Sequence, residues 1–575
     1  MADRPAGAPT RVRTGLLLAT VVGLVLLAEL PAWSGWLQDP AGRLLANPFT
    51  GGQVWAADVV SHALSAGQWP DPSDQAGFPL ARQARFVGWA WLLAATLVRP
   101  LLSANAAVHL AGMVGPALGG AAAVLLIRRA APGGDTVLQG AAGVLYGLAP
   151  VTLGAALSGQ VENTQTWLLP LLLLLGREAP RRSASLVLVL VPVAWALGAL
   201  TSPYLAMVAA FAAPWAAWSA WREGASPTRA LLPLLLAGLG LWVASRWLAL
   251  GAFAPELSLF RPSFQATGWP ELWVRPLPVA SVDGVLLGRS LPQVKAMVLH
   301  QPYLGLVLVL GSLVLGRQQR RWAPLTVLGV LLALGPRLAW DQGPVTVAGH
   351  ELVLPAQLVR WLHLPLAHGG QYYRAAILAQ LGLAGALGTA RLSRGRAWAA
   401  ATLLVLLGSA DALRSVSQPG LPWPTWELPR QAWATLAADP LPGGVLNLPM
   451  ESTRLVPNHP LRLAGHAFHG RPVSDLPRAW TEPPEDPVLA QVWSASLVTP
   501  TGQLPPLAAL RAKGFRYVVL DLPAIPERRS LDERLRAAWG RPTGSADGLS
   551  WWKIDRQAPA PEGGSDARME PSLRP

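Results

Sequence analysis

Gly15-Leu-Leu-Leu-Ala-Thr-Val-Val-Gly-Leu-Val-Leu-Leu-Ala28 is an uncharged, almost wholly apolar stretch, and Arg4, Arg11 and Arg13 precede it. With its edges the run reaches from about 14 to 30, close to the roughly 20 apolar residues that span a hydrocarbon layer. Further long runs lie at about 105–127, 136–157, 164–176, 183–200, 203–221, 229–253, 297–316, 322–340, 373–390 and 397–414. The composition agrees: 52% of the 575 residues are apolar, 14% are charged and mean hydropathy is +0.34. Soluble domains carry about 25% charged residues. A cytosolic enzyme, a disordered chain and a secreted disulfide scaffold are excluded. The chain contains no Cys, hence no disulfide, no thiol nucleophile and no thiolate metal site. Its 27 Trp often flank the apolar runs, as in an interfacial aromatic belt.

The net charge of +14 does not point to nucleic acid, because the basic residues are nearly all Arg and sit between apolar runs. That is the pattern of cytoplasmic anchors. With the N-terminus inside and no cleavage site after the first run, five clusters fall on the inner side. They are Arg128-Arg129; Arg177, Arg181 and Arg182; Arg222 and Arg229; Arg317, Arg320 and Arg321; and Arg391, Arg394 and Arg396. This holds only if the borderline run 86–102 does not span. It reads instead as an interfacial or re-entrant helix flanked by Arg82, Arg85, Trp89, Trp91 and Arg99. The expectation is a mostly α-helical polytopic membrane protein: a cytoplasmic segment 1–13 and a transmembrane domain 14–414 with about eleven spans. Its outer pieces are 31–104, 254–296, 341–372 and everything beyond about 415.

The C-terminal part has another grain. Residues 415–435, with Leu421-Pro-Trp-Pro-Thr-Trp426, read as a linker, and 557–575 as a disordered tail. Between them, 436–556 reads as a small outer α/β domain. Strands are expected at 444–448, 515–521 and 550–554, a helix from Pro505 to Lys513 ended by Gly514 as C-cap, and another from an N-cap at Ser530 with Glu533 completing a capping box. Asp521, His466 and His469 form no recognisable catalytic constellation there.

Two polar turns stand out. In the first outer piece, Asp58 and His62 are four residues apart and share a helix face; a carboxylate there can serve as a general base. The second is Ser158-Gly-Gln160-Val-Glu162-Asn163-Thr-Gln165, a short polar turn between apolar runs. An acid so placed is costly and usually functional.

Taken with Ala142-Gly-Val-Leu-Tyr-Gly-Leu-Ala-Pro150, Trp167-Leu-Leu-Pro-Leu171 and the Pro100-Leu-Leu-Ser-Ala-Asn105 entry, this order resembles the GT-C glycosyltransferase superfamily, in particular its YfhO-like bacterial members. The resemblance covers roughly residues 14–415. It implies that Asp58 is the first-loop acid, a general base, and that Glu162 is the second acid. It further implies a sugar carried on polyprenyl phosphate, and an envelope glycan, lipid or protein as acceptor. His62, Gln160 and Asn163 would contact substrate. Arg374, opening the 373–390 run after Tyr372 and Tyr373, would meet the donor phosphate, with the tyrosines against lipid or sugar. No metal or cofactor is expected: His350, Glu351, His363 and His368 lack metal-pair spacing. The Gly112-Met-Val-Gly-Pro-Ala-Leu-Gly-Gly120 stretch suits helix packing, not phosphate binding. A transporter or lipid flippase, which would place ionisable residues near mid-membrane, and a non-catalytic envelope scaffold are the alternatives. Arg246 and Glu29 are the main charges within the runs.

Overall fold

In a computed structural model, residues 8–47, 50–70, 88–250, 303–316, 320–340, 343–358, 372–417, 421–450, 459–474, 484, 486–496, 502–521 and 528–554 are described. The expected outer loop 254–296, His363, His368 and the 557–575 tail lie outside them.

The apolar runs become helices. In chain order these are α1 (Ala8–Leu37), α2 (Thr50–Ser65), α3 (Trp89–Val98), α4 (Ala104–Ala130), α5 (Thr136–Gly147), α6 (Pro150–Leu157), α7 (Val161–Thr164), α8 (Leu168–Glu178), α9 (Ala184–Thr201), α10 (Pro203–Arg222), α11 (Pro227–Leu250), α12 (Leu306–Leu315), α13 (Ala323–Ala333), α14 (Ala376–Gly388) and α15 (Arg394–Val416). Among the described residues five helices are long and apolar enough to cross a membrane: α1 from Arg13, α4, α9, α11 to Ala244, and α15. The chain is a multi-pass membrane protein. The 136–157 run, expected as one span, is broken: α5 and α6 meet at 41°. Pro150 opens α6, where its ring cannot continue the preceding helix. The 86–102 run holds only the ten residues of α3, packed on α2, α4 and α9.

Small residues set the helix spacing. Gly120 of α4 and Gly143 of α5 each face the other's carbonyl, 2.7 and 2.8 Å from where a Cβ would stand. Further along α4, side chains at Gly115 and Gly119 would strike Thr164 and Thr166. The glycine stripe therefore holds two helices together and seats the 161–166 turn. Asp135 caps α5 through Val137 N at 2.8 Å, and Ser103 caps α4 through Ala106 N at 3.1 Å.

The basic clusters gather at one end of the bundle. Arg129 grips Glu178 with two bonds of 2.7 Å, Arg181 reaches the same carboxylate at 3.0 Å, and Arg177 and Arg181 both bind Glu223. Arg321 donates to the Ala130 carbonyl at 2.8 Å, and the Arg391 guanidinium lies against Gly133.

After α15 the chain does not run as a free linker. Strand β6 (Thr425–Glu427) pairs antiparallel with β1 (Arg43–Leu45), and α16 (Arg430–Ala438) follows at once. Trp423 and Leu428 are buried, so the Pro- and Trp-rich stretch is pinned by its apolar side chains. Two small ladders, β2 (Ala339–Trp340) with β3 (Gly343–Pro344) and β4 (Thr346–Val347) with β5 (His350–Glu351), lie between α13 and α14.

The C-terminal segments are β7 (Gly444–Leu448), α17 (His459–His469), α18 (Pro487–Ser496), α19 (Leu507–Ala512), β8 (Phe515–Asp521), α20 (Arg528–Trp539), β9 (Gly544–Ala546) and β10 (Leu549–Lys553). The sheet order is β7-β8-β10-β9, with β7 and β8 parallel and β8 and β10 antiparallel. Helix α20 starts at Arg528, so Ser530 lies inside it and is not its cap. Strand β8 is buried on both faces. Val518 and Leu520 pack with Leu446, Leu531 and Leu535, whereas Tyr517 and Val519 join Val54, Trp55, Leu92 and Leu463 in another cluster. Alternation of side chains along a strand produces this split. One face of the sheet thus shares a hydrophobic core with α2 and α3.

Candidate active site

Gly159 joins the two polar turns. Its φ is +73°, and a Cβ there would collide with Thr50 and Asn47. Only glycine permits both the left-handed backbone and this approach. Asn47 completes the join, donating to the Leu157 carbonyl at 3.1 Å and accepting from Thr50 N at 2.9 Å. The N-terminal end of α2 is thereby fixed against the 158–165 turn.

A continuous polar chain follows. Gln53 of α2 donates to Glu162 Oε2 at 3.1 Å. Asn163 Nδ2 donates both to Glu162 Oε1 and to Gln160 Oε1, each at 3.1 Å. Gln160 Oε1 also accepts from Arg374 Nη2 at 3.0 Å. Arg374 lies over the Tyr204 ring, 4.0 Å from its centroid, and its Nε is 3.4 Å from Tyr373 Oη. Glu162 and Arg374 make no direct ion pair; the two amides stand between them. Burial pushes the Glu162 carboxyl above its usual range, against the Arg374 charge and the Gln53 hydrogen bond, which draw it down.

A small cavity, of water size, is lined by Thr152, Gln160, Asn163, Thr166, Tyr373 and Arg374 among apolar neighbours. Four buried polar atoms among these lining residues, Thr152 Oγ1, Asn163 Oδ1, Thr166 Oγ1 and Arg374 Nη1, have no hydrogen-bond partner. Each unmade bond costs about 1–3 kcal/mol, more for the charged group. Such a concentration suits a polar ligand that brings its own oxygens. Tyr372 is buried but does not line the cavity.

Asp58 is placed differently. Gln53 and Asp58 are five residues apart on α2, about 140° around the helix, so Asp58 faces away from Glu162. Its Oδ1 is 2.8 Å from Arg99 Nη2 and 3.3 Å from His62 Nδ1, and its Oδ2 is 3.4 Å from His466 Nδ1 on α17. Arg99 Nε also donates to Ser61 Oγ at 3.3 Å. The structure therefore unites Glu162, Gln160, Asn163, Tyr373 and Arg374, and places Asp58 and His62 in a second cluster. Gln53, Thr152, Thr166, Tyr204 and Arg99 were not foreseen as site residues. Of these, Gln53 and Arg99 had a visible signal, polarity beside an apolar helix. Two hydroxyls inside apolar runs give none. Among the described residues no group of three or more His, Asp or Glu has the arrangement of a metal site.

No family model and no curated protein matches this sequence. Among solved structures, the mycobacterial arabinofuranosyltransferase AftD aligns with a TM-score of 0.50 at 17% identity, over 94% of this chain and 41% of that one. The fold is that of the GT-C glycosyltransferases. This GT-C-like chain spans about two fifths of the length of AftD. ArnT from Cupriavidus metallidurans bound to undecaprenyl phosphate gives a TM-score of 0.48 at 11% identity, covering 96% of this chain and 100% of that one. The oligosaccharyltransferase of Archaeoglobus fulgidus gives 0.42 at 12%, covering 88% and 69%.

Proposed function

We propose that this protein is a membrane glycosyltransferase that moves a sugar from a polyprenyl-phosphate donor to an envelope glycan, lipid or protein on the outer face of the bacterial inner membrane. The observation that carries the reading is the cavity at Arg374. A buried guanidinium with an unused N–H, flanked by two unpaired hydroxyls, offers a phosphate three donors in a low-dielectric site. Arg374 Nη1 and the hydroxyls of Thr152 and Thr166 would take the donor phosphate. Asn163 Oδ1 would accept from a sugar hydroxyl. The headgroup exceeds the cavity, so binding includes a local movement of Tyr373 or the 158–165 turn.

Transfer runs toward leaving-group charge on phosphate, which Arg374 stabilises more in the transition state than in the ground state. With the basic clusters held in the cytoplasm, both polar turns would lie outside.

Purified full-length protein in nanodiscs, given polyprenyl-phosphate sugars and envelope acceptors, should release polyprenyl phosphate. Arg374→Ala should lose this while retaining its fold. Absence of turnover with every lipid-linked pentose and hexose tried would leave the reading without support.

A further inference from the structure

At the basic end of the bundle the arginines outnumber the acids that hold them. Glu178 takes Arg129 and Arg181, and Glu223 takes Arg177 and Arg181. Arg128, Arg182, Arg222 and Arg229 add further cations on the same segments. Arg128 adjoins Arg129, Arg182 adjoins Arg181, Arg222 adjoins Glu223, and Arg229 lies in the first turn of α11, which packs on the Ala179–Arg181 turn. Among the described residues none of these four has a carboxylate in ion-pair reach. Arg177 is the buried member, its side chain 4% exposed. Its Nη1 stands 3.8 Å from Glu178 Oε1, and neither Nε nor Nη1 has a hydrogen-bond partner. A buried guanidinium with two unused donors is costly unless an acceptor arrives. Helices α9 and α11 both begin at this end, and the partial positive charge of their N-termini adds to the attraction for an anion.

The surroundings are apolar on the membrane side. Helices α9 and α11 pack side by side, and Leu186 in the first turn of α9 and Leu231 and Leu235 on α11 are exposed next to the arginines. Trp221, also exposed, stands beside Arg222 as an interfacial aromatic does. A small apolar cavity between these helices is lined by Gly176, which precedes Arg177, and by Ala230, which follows Arg229. A soluble anion gains nothing from the leucines, whereas a lipid gains from both parts. A zwitterionic headgroup would bring its ammonium against surplus cations. We infer that this corner binds an anionic phospholipid of the adjoining leaflet, its phosphate on Arg177, Arg182 and Arg229 and its chains along Leu186, Leu231 and Leu235. The site is separate from the Arg374 cavity: Tyr204 beneath Arg374 and Arg222 stand at opposite ends of α10, about 27 Å apart along its axis. It does not depend on the transferase reading.

The test uses the full chain in detergent micelles, with thermal unfolding and native mass spectrometry as readouts. Added phosphatidylglycerol should raise the melting temperature and remain bound in the spectrometer, whereas phosphatidylcholine and inorganic phosphate should do neither. Replacing two exposed cations, Arg182→Ala with Arg229→Ala, should weaken phosphatidylglycerol binding about tenfold or more. Arg177→Lys keeps the charge and removes the unused donors, and it should weaken binding too; if that variant does not fold, the exposed pair decides. Arg394→Ala with Arg396→Ala removes an equally basic pair from α15, which packs on α5 and α12, and should leave the affinity unchanged. Equal weakening by both pairs would mean diffuse surface attraction and would overturn the inference. So would equal retention of phosphatidylcholine, or protection by inorganic phosphate as strong as that by the lipid.

Discussion

Glu162 lies in the short polar turn of α7 and Asp58 in the middle of α2, and the surroundings of the two acids differ in kind. Amide groups alone hydrogen-bond Glu162, and the nearby Arg374 keeps an unused donor facing a cavity. Asp58 is gripped by an arginine, with two histidines close by. Asp58 has its counter-ion within the protein, Arg99 at 2.8 Å. At Arg374 one N–H has no partner, and that donor is the one the proposed phosphate would meet. An ion pair can thus mark scaffolding, and an unmet hydrogen bond can mark a site.

Four variants break or sharpen this contrast. The largest effect is expected at Arg374: changing it to Ala should cut turnover about 10³-fold, the scale of losing a main anion-stabilising group, and abolish retention of polyprenyl phosphate in a binding assay. Stability should hold, since an under-satisfied cation is removed. At Asp58 the opposite pattern is expected. Arg99→Ala leaves a buried carboxylate without its cation and should cost about 3 kcal/mol, the low end for a broken buried pair because Arg99 is partly exposed; thermal unfolding in detergent measures it. An unchanged melting temperature would mean that the pair is not structural.

Thr152→Val with Thr166→Val removes two unused hydroxyls. Donor KM should rise about tenfold, while stability stays level or improves. A loss of stability would show that the hydroxyls are satisfied within the protein. The smallest effect concerns Glu162. Burial raises its folded value above that of a free glutamate, so the folded state holds a proton that the unfolded state has released. This contribution to stability is present below the unfolded value and is lost as pH rises through the folded one. Glu162→Gln should flatten that decline, read from melting temperature against pH above 4.5.

Reading apolar runs located the helices because each run is its own signal: burial in lipid or protein demands apolar residues wherever the helix lies. The same local logic found Asp58 and His62 as one helical pair and the Gln160-to-Asn163 turn as a polar unit. It could not see that Gln53 binds Glu162, or that Arg374 reaches Gln160 across 214 residues. Nor could it see that the 136–157 run bends by 41° between α5 and α6, or that Thr425–Glu427, within the 415–435 linker, pairs with Arg43–Leu45. Strand pairing depends on a partner, and the partner lies near the other end of the chain.

The amino-acid order alone fixed the membrane character, the alternation of basic clusters and the two acidic turns, since hydropathy and charge act over a few residues. Which acid keeps company with a cavity, and which with Arg99 and His466, was settled only when helices met. Close glycine contacts at Gly115, Gly119 and Gly159 set those meetings, and steric fit between distant segments has no signature within either one.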